Sequence, residues 1–123
     1  MAEILVDDSR WPLLLVRYPS QYTTEEWDRH YEAVLSHARR GEPFVLINDA
    51  RGAQRPNPHQ RSQLAKAHGD ADIVKNLRAV AIIIDDALIR SVATALAWLR
   101  PPKFKYEHFA TAKEGEEWIR QFL

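Results

Sequence analysis

Apolar residues gather into four short strand-like runs, at 13–18, 43–49, 78–85 and 104–109, and a segment of helical period separates each run from the next. Strand followed by helix, repeated, is the pattern of βα units, which close into one sheet covered by helices. A further apolar segment at 4–6 precedes them, and Arg10-Trp11-Pro12 turns it into the stronger run that follows. The predicted fold is therefore α/β: a mixed, mostly parallel sheet of about five strands with helices on its faces. The four strands after Arg10 should run parallel through right-handed crossovers, with 4–6 antiparallel at an edge.

The helical segments carry their own start and stop signals. Thr23 or Thr24 caps the first, with Glu25 and Glu26 in its opening turn, where carboxylates favour the positive end of the helix dipole. Trp27, Tyr31, Val34, Leu35 and Ala38 make its apolar stripe, and Gly41 supplies the left-handed residue that ends it. Residues 43–49 are almost continuously apolar, as in a strand buried on both faces. Residues 50–58 hold Gly52, Pro56 and Pro58 and read as an exposed loop. Pro58 then suits the first turn of a helix running to about Ala67, which offers a core only Leu64, Ala65 and Ala67, so the helix should be loosely held.

Gly69-Asp70 breaks that helix, and 79–84 follows as the expected central strand. Asp85 or Asp86 caps the next helix, on which Leu88, Ile89, Val92, Ala95, Leu96 and Leu99 share a face, and Pro101-Pro102 ends it. Thr111 caps a last helix whose buried side is Trp118, Ile119 and Phe122.

At 123 residues the chain is expected to form one domain, 1–123, large enough to bury roughly two-thirds of its unfolded surface without a disulfide or metal staple. The absence of cysteine excludes thiol catalysis and thiolate metal sites. Lys plus Arg and Asp plus Glu both number 17, so no global field attracts nucleic acid or an anionic membrane, and self-association is unopposed by net charge. The longest apolar run, 79–84, is far short of the ~20 residues of a membrane span, and the acidic start is not a secretory signal. A cytoplasmic protein is the expectation.

Local chemistry is sparse. The opening Ile4-Leu5-Val6-Asp7-Asp8-Ser9 has the look of a receiver domain with Asp49 as phosphoacceptor and Lys103 as its lysine, but a receiver needs a helix where 11–18 reads as a strand. Asp49, Asp85 and Asp86 fall at strand ends, where they serve a loop start and a helix cap before any acid–base role. Glu26, His30 and His37 run along one flank of the first helix, yet the two histidines are about 10 Å apart along its axis, too far to share a metal ion. That flank reads as solvated, and no metal or cofactor is expected.

The strongest anomaly is basic. Between Asp49 and Asp70 there is no acidic residue, while Arg51, Arg55, His59 and Arg61 crowd the loop and the start of its helix beside Ser62. Guanidinium forks and free helix N–H groups in one small volume suit a phosphate or carboxylate. Trp98 is the second anomaly, since it falls off the apolar face of its helix, where it either covers the Pro101-Pro102 turn or is presented to a ligand or a second subunit.

Taken in order, these elements resemble the SpoIIAA-like proteins of the STAS domain family, which are related in shape to lipid-transfer domains. The resemblance runs from about Leu13 to Leu123 and is carried by Tyr22-Thr23-Thr24-Glu25-Glu26-Trp27, Val45-Leu46-Ile47-Asn48-Asp49, Leu77-Arg78-Ala79-Val80-Ala81-Ile82 and Phe109-Ala110-Thr111-Ala112-Lys113-Glu114-Gly115-Glu116-Glu117-Trp118-Ile119. It implies a non-enzymatic, regulatory or ligand-binding role. In the anti-sigma-factor antagonists of that family a phosphorylated serine begins the helix after the acid-bearing strand; Ser62 is the hydroxyl residue in that region, but the surrounding motif is missing.

The sequence reading is thus a protein-interaction module without enzymatic activity, binding a protein partner through Arg51, Arg55, His59, Arg61, Ser62 and Trp98. A homodimer through the 87–98 helix is part of it. The rivals are a carrier of a small anionic or lipid-like ligand and an enzyme built on Asp49, Asp85 and the arginines, for which the convergent acid and base are not in sight.

Overall fold

A computed structural model describes residues 3–87 and 104–123. Five strands form one sheet in the order β1-β2-β3-β4-β5, with β1 at Leu5–Arg10, β2 at Leu13–Arg17, β3 at Phe44–Asp49, β4 at Leu77–Ile83 and β5 at Lys105–Phe109. β1 pairs antiparallel with β2, and β2 through β5 are mutually parallel. This is the predicted arrangement. Because strand order follows chain order, β3 holds the centre and not the 79–84 run, which lies in β4 one place further out.

Alternation along each strand sends successive side chains to opposite faces. One face presents Leu14, Val16, Phe44, Leu46 and Val80 to the helices α1 (Thr24–Ala38), α2 (Pro58–Gly69) and α3 (Ala71–Asn76), with Trp27, Leu35, Ala38 and Ile73 closing that layer. The other presents Leu13, Val45, Ile47, Ala79, Ala81 and Ile83 to α4 (Ala112–Ile119), which inserts Ile119 and lays Trp118 and, from the 3₁₀ turn that follows, Phe122 beside it. Two buried faces explain why β3 and β4 are almost uninterrupted apolar runs.

The helix signals hold. Thr23 Oγ1 accepts the Glu26 amide at 3.1 Å, Thr111 Oγ1 accepts that of Glu114 at 3.3 Å, and Gly41 takes φ +80° after α1. Gly115 settles how closely α4 can approach: a β-carbon there would strike Ile83 Cδ1 and meet Ala81 and Phe109 at 3.6 Å. The helix expected after Asp85-Asp86, and Trp98 with the homodimer face placed on it, lie outside the described residues.

Candidate functional site

The carboxyl end of β3 delivers Asp49 into a buried position, 4% exposed. Arg51 folds back over it, with Nε donating to Oδ1 at 2.9 Å and the second guanidinium nitrogen to Oδ2 at 2.7 Å, and Arg17 from the end of β2 approaches Oδ2 at 3.5 Å. Burial alone would raise the Asp49 carboxyl, but the Arg51 hydrogen bonds and the two positive charges outweigh it and hold the group below the usual carboxylate range. Arg51 is therefore not a free fork for a ligand. The sequence reading placed it among the recognition residues; the structure spends its guanidinium on Asp49.

Beyond Arg51 the chain turns at Gly52, φ +68°, and meets the 20–22 segment ahead of α1 before entering α2. Three glutamines fix this route. Gln54 Oε1 accepts the Tyr22 amide at 3.0 Å, and the Gln54 amide donates to the Ser20 carbonyl at 3.1 Å. Gln60, 1% exposed, and Asn57 form a reciprocal capping box: Asn57 Oδ1 accepts the Gln60 amide at 2.8 Å while Gln60 Oε1 accepts the Asn57 amide at 3.0 Å. Gln63 Oε1 accepts Trp27 Nε1–H at 2.6 Å, and its carbonyl accepts the Tyr31 hydroxyl at 3.1 Å.

Gln60 is the buried residue of α2, in keeping with its poor apolar content, but the loose hold expected from that content left polar ties out of account. What fastens the helix is this set of directional polar bonds. The capping box has a second consequence. With the Gln60 amide held by Asn57 and the Arg61 amide donating to the Asn57 carbonyl at 2.9 Å, two of the N–H groups that the sequence offered to an anion are already used.

What remains outward is a short ledge. Arg55, His59, Arg61 and Ser62 are all exposed on the β3–α2 connection and the first turn of α2. Arg61 is steadied by a 3.0 Å bond to the Pro56 carbonyl, and His59 stands 3.9 Å from Asp28. The ledge is basic, tied down from beneath and continuous with the strand ends.

A correction concerns the first helix. His30 does not lie on a solvated flank but is 6% exposed, with Nδ1 donating to the Trp27 carbonyl at 2.6 Å and Nε2 2.8 Å from the Tyr18 hydroxyl. A carbonyl can only accept, so the proton sits on Nδ1 and Nε2 takes the Tyr18 hydroxyl proton. Desolvation drives the His30 pKa down to about 4 and that of Tyr18 up. Among the described residues no group of three His, Asp or Glu side chains could hold a metal ion, and no helix is long and apolar enough to cross a membrane.

No family model matches the chain, and neither does any curated protein. A solved structure does: an uncharacterised protein of the DUF3478 family with a SpoIIAA-like fold, from Shewanella loihica PV-4. The match spans 94% of this chain and 91% of that one, with a TM-score of 0.67 at 16% identity. This chain has a SpoIIAA-like fold. The SpoIIAA-like fold is this five-stranded, mostly parallel sheet with helices on its faces.

Proposed function

We propose that the protein is a non-enzymatic regulatory module that recognises an acidic protein partner through the ledge of Arg55, His59, Arg61 and Ser62. The observation that carries this reading is the way the ledge is held. Side chains of Gln54, Gln60 and Gln63 tie this segment to Tyr22, to its own cap at Asn57 and to Trp27, while Arg55, His59, Arg61 and Ser62 are exposed. A rigid backbone lowers the ordering cost of binding, and exposed arginines supply steering and bidentate contacts. The state of Asp49 supports binding over catalysis. Its carboxylate is occupied by Arg51 and Arg17, which stabilise its charged form and lower its basicity.

The test is affinity capture from the native host's lysate, comparing wild type with the Arg55→Glu/His59→Glu/Arg61→Glu variant. Exposed charges contribute about 0–1 kcal/mol to stability, so the variant should fold as wild type does. Loss of the captured partner is the expected result, and a folded variant that retains the same partners refutes the assignment.

A further inference from the structure

The sheet has two edges, and they are built differently. β1 is interrupted: its register with β2 shifts between Asp7 and Arg10, and Asp7 Oδ1 accepts the Ser9 amide at 2.8 Å. A bulged edge that carries acids pairs poorly with another strand. β5, at the opposite edge, keeps an unbroken register with β4 from Lys105 to Phe109 and contains neither proline nor glycine. Among the described residues β4 is its one hydrogen-bonded neighbour.

One bond tells which backbone groups of β5 face outward. The Phe109 carbonyl accepts the Ile84 amide at 2.9 Å, so the odd-numbered residues turn their N–H and C=O groups to β4 and the even-numbered ones turn theirs away. The His108 amide agrees with this, since the exposed Glu107 carboxylate accepts it at 3.3 Å. Tyr106, in the middle of the strand, therefore presents an N–H and a C=O along the outer side. Lys105 and Glu107 flank it, both exposed and both on the same face of the sheet.

Opposite charges two positions apart make this strand complementary to itself. Laid antiparallel against its own copy about Tyr106, it sets Lys105 opposite Glu107 twice, faces one Tyr106 ring with the other and lets the two Tyr106 residues exchange a pair of backbone hydrogen bonds. Moving the centre by one residue sets Lys105 against Lys105 or Glu107 against Glu107, so charge selects a single register. A lone edge lysine deters pairing by meeting its own copy; Glu107 removes that deterrent. With 17 residues of each sign, net charge does not oppose association either.

We infer that the outer edge of β5 pairs antiparallel with the same edge of a second copy of this chain, centred on Tyr106, with each Lys105 opposite the second copy's Glu107. The contact continues one sheet into the next and uses none of the basic ledge, so either assignment can fail without the other.

Sedimentation velocity of the full chain from the low micromolar to the millimolar range tests it. Wild type should form a reversible dimer. Lys105→Glu and Glu107→Lys should each weaken association roughly tenfold or more, because each creates two like-charge pairs across the edge. An equimolar mixture of the two variants should associate again, and so should Lys105→Glu/Glu107→Lys, which shows that the single variants were folded. In wild type the Tyr106 amide should exchange more slowly as concentration rises, while that of Glu107, turned to β4, is unchanged. A wild type that stays monomeric throughout, a dimer indifferent to the single reversals, or a mixture of folded variants that does not associate overturns the inference.

Discussion

Tyr18 donates its hydroxyl proton to His30 Nε2 across 2.8 Å, joining the end of β2 to the middle of α1. The bond requires a neutral imidazole, because a protonated ring has no lone pair to accept with. His30 is neutral in both folded and unfolded chains above about pH 6.5, and burial lowers its folded value to about 4. Between those limits the unfolded chain binds a proton that the folded chain refuses, so stability rises with pH there. About 3 kcal/mol, to order of magnitude, should be lost as pH falls through this window. Urea melts between pH 7 and pH 4 should show the loss, and His30→Gln, itself less stable, should show a flatter profile. An equal slope in the two proteins counts against the assigned tautomer.

Asp49 titrates with the same sign in a lower window. Its folded value is depressed, so its contribution is complete above the ordinary carboxylate value of 3.8 and disappears as pH falls below it. Arg51→Ala leaves a buried carboxylate facing Arg17 alone. The expected cost is about 1–3 kcal/mol at neutral pH, below that of a fully buried pair because Arg51 is half exposed. Arg51→Ala/Asp49→Asn should recover part of that loss in urea melts, since no uncompensated charge remains. A double variant no more stable than Arg51→Ala would contradict the pairing.

Gln63 is the link that the ledge depends on most: its side chain accepts the Trp27 indole N–H, the bond that alanine removes, while its carbonyl accepts the Tyr31 hydroxyl. Gln63→Ala should cost about 1–2 kcal/mol and speed amide exchange in α2 while β3 and β4 stay protected. Exchange accelerated uniformly across the sheet would show that α2 unfolds only with the whole molecule.

Most of the architecture was legible because it rests on period and capping. The continuous runs of β3 and β4, the Trp27 to Ala38 stripe and the caps Thr23 and Thr111 each follow from local rules. The ledge was half legible. Its charge is written in Arg55, His59 and Arg61, but Gln54 and Gln63 bind partners 32 to 36 positions away, and no local pattern marks such a pair. His30 and Arg51 did carry signals. His30 sits three residues after Trp27 and four before Val34, inside the stripe, and Arg51 lies two residues past an acid at a strand end.

Site-specific photocrosslinking tests the central claim most directly. A benzophenone side chain placed at Ser62 on the ledge, and separately at the exposed Glu107 of β5, is irradiated with lysate of the native host. The account predicts an acid-rich protein adduct at 62 that fades as salt rises and is absent at 107. Equal adducts at both positions, or an adduct at 62 indifferent to salt and to Arg55→Glu/Arg61→Glu, would contradict it.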